Sequence, residues 1–235
     1  MKITSLELYK IKPRWIFLKI NTDEGISGWG ELISGTKTET VVAGAKEMGE
    51  YIIGKDPTQI EDLWQVLYRS FFRGGPINMT ILSGIEMALW DIKGKYYNMP
   101  VYEFLGGRAR DKIMVYSWIG GDRPSDVANE ALKRKELGFR AVKMNATEEL
   151  HYILERVDSI RKAVGYDLEI GVDFHGRVHK AMAKVLAKEL EKYRPMFIEE
   201  PVLPENNDAL EEIASHTSIP IATGERLYTR WAFKD

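Results

Sequence analysis

The chain has 235 residues, 44% of them hydrophobic, with 33 Lys and Arg against 35 Asp and Glu. That is enough apolar material for one large core or two smaller ones, and the near-neutral balance offers no basic face for nucleic acid. Cysteine is absent, which excludes disulfides and thiolate metal sites.

The N-terminus, Met1-Lys2-Ile3-Thr4-Ser5-Leu6-Glu7, has no apolar run of the kind a signal peptide carries. No stretch approaches the roughly 18 apolar residues of a membrane span. The expectation is a soluble, cytoplasmic protein with no membrane partner.

Three strands open the chain. Ile3, Leu6, Leu8 and Ile11 make an irregular apolar strand, residues 15–22 a second and 26–31 a third. Asp23-Glu24-Gly25 is a hairpin signal, with glycine supplying positive φ. Helical patterns follow over 40–53, ended by Gly54, and over 59–70, with Thr58 as its cap. A third covers 80–97, with Ile81, Ile85, Ala88, Leu89 and Ile92 on one face. Residues 100–107 close this first domain, an α+β unit over 1–111.

From residue 112 the texture changes. Short apolar runs at 113–118, 141–145, 168–173, 196–199 and 219–225 alternate with helical stretches at 124–137, 150–164 and 180–193. A repeat of roughly 25–30 residues means consecutive βα units and a parallel sheet. Five strands are visible over residues 112–235, whereas a closed (β/α) barrel has eight and typically about 250 residues, so a partial barrel is one reading. An open doubly wound sheet is the competing reading. It would carry a glycine-rich phosphate turn after the first strand, and Trp118-Ile119-Gly120-Gly121 is not one.

Asp173, Glu199 and Glu225 each end one of these runs, 26 residues from one to the next. Equal spacing gives each acid the same place in its βα unit, so the three meet at one edge of the sheet. Carboxylates so placed repel unless a cation lies among them. Hard oxygen donors suit Mg²⁺ better than zinc. A single acid at a strand end is usually an ordinary solvated loop residue; the common register favours a metal site. Glu200, one residue out of phase, should point the other way.

His175 lies two residues after Asp173, on the same side by alternation, with Phe174 opposite. A histidine there is a natural general acid or base, against the plainer reading of a packed or solvent-facing ring. His151, His179 and His216 fall in predicted helices and read as structural. Lys143 and Asn145 share a face of the second strand. Lys143 meets a substrate carboxylate, steadies the metal ligands, or is a plain strand-end ion pair.

Several segments carry a family resemblance. Thr22-Asp23-Glu24-Gly25 precedes Gly28-Trp29-Gly30-Glu31. Ala88-Leu89-Trp90-Asp91-Ile92-Lys93-Gly94-Lys95 follows, then Pro100-Val101, Leu105-Gly106-Gly107 and the three acids. In this order the chain resembles the mandelate racemase group of the enolase superfamily throughout its length. Pro13-Arg14-Trp15, Arg73-Gly74-Gly75-Pro76, Tyr116-Ser117-Trp118 and Val172-Asp173-Phe174-His175-Gly176-Arg177-Val178 look like that group's sugar-acid dehydratases.

The resemblance implies a capping domain, an enolase-like barrel, Mg²⁺ on Asp173, Glu199 and Glu225, and a homo-oligomer when complete. It also implies hydro-lyase activity on a small sugar acid, D-galactonate or a similar aldonate. The product would be a 2-keto-3-deoxy sugar acid formed through an enediolate, with His175 protonating the departing C3 hydroxyl. Arg14, Trp15, Lys143 and Asn145 are the candidates to touch substrate, though plain surface or core is as good a reading for the first two.

Relatives that racemise carry Lys-x-Lys on the second strand, and Lys143-Met144-Asn145 lacks the second lysine. A racemase or epimerase is the alternative activity, and a non-catalytic metal- or partner-binding remnant the alternative class. The family's base is a histidine on the seventh strand. The sequence ends at Asp235, so the expectation is that these 235 residues alone do not turn over a sugar acid.

Overall fold

The computed structural model describes residues 1–33, 35–71, 75–146 and 150–234, without the side chain of Leu150. They form two compact units, Met1–Asp111 and Lys112–Asp235.

The first unit opens with an antiparallel meander in the order β1 (Ile3–Ile11), β2 (Trp15–Thr22) and β3 (Ser27–Glu31). Ile16, Leu18 and Ile20 of β2 are fully buried, as period-two alternation over a half-covered sheet requires. Four helices follow: α1 (Thr38–Glu50), α2 (Ile60–Ser70), α3 (Pro76–Tyr97) and α4 (Val101–Phe104).

Helix α3 lies directly on β3, backbone to backbone. A Cβ on Gly28 would fall 2.0 Å from the carbonyl oxygen of Ala88, and one on Gly30 would fall 1.9 Å from that of Gly84. This close approach is why both positions are glycine. Asp91 joins the two elements: it accepts from the Trp29 backbone N–H at 2.9 Å and from Lys95 Nζ at 2.7 Å.

Some boundaries differ from the sequence pattern. Helix α3 begins at Pro76, because proline is preset for the first helical turn. Thr58 does not cap α2. Its N–H and hydroxyl both donate to Asp56 Oδ1, at 2.9 and 2.8 Å, and helix α2 starts after Gln59.

The second unit runs β4 (Ser117–Ile119), α5 (Pro124–Glu136), β5 (Ala141–Asn145), α6 (Leu150–Val164), β6 (Glu169–Asp173) and α7 (Lys180–Leu190). It continues with β7 (Phe197–Glu199), α8 (Asn207–His216), β8 (Ile221–Ala222) and α9 (Arg230–Lys234). All neighbouring strands are parallel, in the order β4-β5-β6-β7-β8. A doubly wound sheet reverses its order at a switch point; this one adds strands in one direction only, which is barrel winding.

Val142, Met144, Ile170, Val172 and Ile198 are buried with Val157, Ile160, Leu186 and Ile213 of the helices. Alternation leaves Lys143, Asn145 and Asp173 for the opposite face. Among the described residues no helix is long and apolar enough to cross a membrane.

The two outer strands are shorter than their apolar runs. Ile113, Met114 and Val115 are 74%, 64% and 62% exposed and lie outside β4, whose three residues pair only with Val142, Lys143 and Met144. Strand β8 stops at Ala222, the partner of Glu199. A strand extends only as far as its neighbour offers a ladder, and among the described residues each of these has one neighbour.

Candidate metal and acid–base site

Asp173 and Glu199 are the last residues of β6 and β7 and face each other in the ladder. Between them stands Lys143 of β5, whose Nζ donates to Asp173 Oδ2 and to Glu199 Oε2, each at 2.8 Å. Burial works against the Lys143 ammonium. Its hydrogen bonds to Asp173 and Glu199 outweigh it and hold the group above the ordinary lysine range.

Glu225 does not end a strand. It lies three residues past Ala222, after Gly224 at φ 136°. The equal spacing of the three acids thus reflects the length of the βα units and not a common ladder position. The turn nonetheless carries Glu225 back: one ligand atom each of Asp173, His175 and Glu225 lie within 4.8 Å of one another.

His175 reaches this cluster by a different route from strand alternation, since β6 ends at Asp173. Its backbone is left-handed at φ 52°. Its N–H donates to Asp173 Oδ1 at 3.1 Å, and its Nε2 lies 3.3 Å from Asp173 Oδ2. Phe174 turns into the helix-side core and is buried.

Glu200 does not point away from the site. Strand β7 has ended, and at φ 40° Glu200 turns into a fully buried position where its Oε2 lies 3.3 Å from Arg226 Nε. Burial pushes its carboxyl above the usual range; Arg226 opposes this, and the charges of Glu225, Asp173 and Glu199 reinforce it. Arg226 and Glu200 went unread as site residues. The signal present was the doubled acid of Glu199-Glu200-Pro201 and the arginine directly after Glu225.

Asn145 accepts from Trp118 Nε1 at 3.2 Å. Both line a cavity of about 440 Å³ at the ends of β4 and β5, with Arg156 and Arg177. Arg14 and Trp15 belong to the first unit, exposed where β1 turns into β2, and Arg73 lies outside the described residues. His179 is not inside a helix but caps α7, its Nδ1 accepting from Ala181 N–H.

The donor set fits a hard divalent cation. Asp173 and Glu225 share one reach with His175, and Glu199 joins them through Lys143 without entering that group; Lys143 and Arg226 are the lysine and arginine paired with these acids among the described ion pairs. Carboxylate oxygens dominate, as magnesium or calcium prefers.

The family follows from comparison with known proteins. The profile for "Mandelate racemase / muconate lactonizing enzyme, N-terminal domain" matches residues 9–106, and that for "Enolase C-terminal domain-like" matches residues 126–235. The solved structure of a member of the enolase superfamily from Salmonella Typhimurium is 33% identical with a TM-score of 0.90, covering 99% of this chain and 70% of its own.

The chain belongs to the mandelate racemase and muconate lactonizing enzyme family of the enolase superfamily.

A mandelate racemase/muconate lactonizing enzyme from Jannaschia sp. CCS1 aligns with a TM-score of 0.91 at 31% identity, covering 99% of this chain and 69% of its own. D-galactonate dehydratase of Cronobacter sakazakii is 52% identical over all of this chain. The chain spans 64% of that relative's length. It holds the family's N-terminal unit and part of its barrel.

Proposed function

We propose that this chain carries the metal-binding and proton-donating part of a Mg²⁺-dependent sugar-acid dehydratase, with D-galactonate or a similar aldonate as substrate. The observation that carries it is the meeting of Asp173, His175 and Glu225 beside the Lys143-bridged pair Asp173 and Glu199. Similarity to a protein named D-galactonate dehydratase supports the substrate class.

Asp173, Glu199 and Glu225 would hold Mg²⁺, which as a Lewis acid withdraws electron density from the substrate carboxylate and acidifies the C2 proton. His175 is placed to give its proton to the C3 hydroxyl as that group leaves as water, and the resulting enol tautomerises to the 2-keto-3-deoxy acid. Asp173 orients His175 through its two contacts. The cavity lined by Asn145, Trp118 and Arg177 would take the polyol tail. Removal of the C2 proton is not assigned to Lys143, whose Nζ is paired with Asp173 and Glu199, nor to Asn145, which has no basic atom.

The racemase alternative is weakened by the same two residues, since inversion would need a base where Asn145 stands. The test is a panel of aldonates with Mg²⁺ and the whole protein its gene encodes, comparing wild type with His175→Asn. A positioned acid contributes about 10²–10⁴-fold. The variant should lose dehydration by that order while C2 proton exchange with solvent survives. Inversion at C2 without water loss would reject the dehydratase reading.

A further inference from the structure

We infer that Arg226 is a positioning residue, tying together the loops after β6, β7 and β8 and so fixing the direction of Glu225 and the seat of His175. Its guanidinium touches all three loops. An Nη donates to the His175 carbonyl at 2.9 Å, and Nε lies 3.3 Å from Glu200 Oε2 and 3.6 Å from Glu225 Oε1.

Glu200 is what anchors it. That carboxylate is 0% exposed, and neither oxygen has a hydrogen-bond partner among the described residues. A buried carboxylate with a single counter-ion strongly resists losing it. Glu200 therefore holds Arg226 from within the fold, and Arg226 holds the two loops outside it.

The backbone is shaped for this contact. A Cβ on Gly176 would fall 3.3 Å from Arg226 Nη1 and 3.1 Å from Leu203 Cδ2, so the guanidinium packs where a side chain would crowd it. The Gly176 N–H donates to the Glu200 carbonyl at 2.7 Å, which joins the first two loops before the arginine joins the third. His175 and Glu200, at φ 52° and 40°, hold left-handed conformations that non-glycine residues keep only with tertiary support. Arg226 contacts one through its carbonyl and the other through its carboxylate. A rigid planar fork can serve three acceptors in fixed directions, and a lysine ammonium cannot.

The inference rests on the metal reading for only one of its two readouts. The test uses Arg226→Met, Arg226→Lys and Glu200→Gln in the 235-residue chain. The first readout needs no metal: amide exchange, by mass spectrometry, in peptides spanning 174–177 and 224–227. Arg226→Met should exchange faster in both, with β5 and α6 at wild-type rates. The second is Mn²⁺ binding followed by its paramagnetic resonance signal. It should weaken about 10–100-fold in Arg226→Met, the usual cost of losing an outer-shell partner, and less in the other two variants.

A folded Arg226→Met with wild-type exchange in both peptides overturns the inference. Faster exchange with unchanged Mn²⁺ affinity overturns the part concerning Glu225. If Arg226→Met does not fold, wild-type exchange and affinity in Arg226→Lys and Glu200→Gln overturn it instead. A parent chain that does not bind Mn²⁺ counts against the metal reading, and the exchange data still decide the role of Arg226.

Discussion

The Nζ of Lys143 donates to Asp173 Oδ2 at 2.8 Å across neighbouring parallel strands, and the same atom also reaches Glu199. All three side chains are at most 16% exposed. Replacing Lys143 with Met leaves one buried and one half-buried carboxylate without their shared cation. Breaking a buried pair from one side costs about 3 kcal/mol or more. Urea denaturation of Lys143→Met should show that loss, and Mg²⁺ should recover more of it than it adds to wild type. The folded pKa of Lys143 is raised, so its contribution is full below the unfolded value of about 10.4 and fades only above it. The deficit should therefore be constant from pH 6 to 9. A deficit that shrank across that range would contradict the assignment.

Glu191 supplies a pH dependence of the opposite sign. Its carboxylate accepts from the Ser218 backbone N–H at 2.9 Å and pairs with Lys188, while Thr217 donates to it at 3.0 Å. These contacts, the Ser218 bond foremost, hold its pKa down to about 2. A depressed carboxylate contributes stability above its unfolded pKa of about 4.3 and loses it as pH falls through the folded value. Glu191 ties the end of α7 to the loop that leads into β8. Glu191→Gln should be less stable than wild type at pH 7, with the gap closing between about pH 4.3 and 2. Equal stability of the two proteins at pH 7 would show that the contact carries no net free energy.

In the first unit, Gly30→Ala should be severe. The added Cβ would fall 1.9 Å from a helix carbonyl, and neither backbone can yield without separating α3 from β3. Overpacking usually costs about 1–3 kcal/mol, and a backbone-on-backbone clash belongs at the top of that range or beyond. Thermal melting followed by circular dichroism should show the drop. Gly54→Ala is the control: it has positive φ and open space around it, so it should lose only the strain of its left-handed backbone.

The 235-residue chain should self-associate. Among the described residues β4 pairs only with β5, and β8 only with β7, so each leaves one edge open. Ile113, Met114, Val115 and Phe233 are each more than 60% exposed. Open edges beside apolar side chains favour pairing between chains. Sedimentation velocity should find species heavier than one chain. A single monomeric species across the concentration range would refute the expectation.

The sequence by itself determined the parts set by covalent spacing. A β-rich run marked β2, alternation put Lys143 and Asn145 on one face of β5, and the 26-residue interval put Asp173 and Glu199 opposite each other on neighbouring strands. The glycines at 28 and 30 could be seen but not explained until α3 was found against them. Tertiary structure decided what lies beyond the strand ends. Alternation stops with the ladder, and the next side chain's direction is set by left-handed residues such as His175 and Glu200, whose support comes from other loops. So Glu225 reaches the cluster from a turn and not a strand, and Glu200 turns in toward Arg226 instead of away. The βα repeat placed the strand of Lys143 beside that of Asp173, but that its Nζ is shared between Asp173 and Glu199 was decided by the tertiary structure.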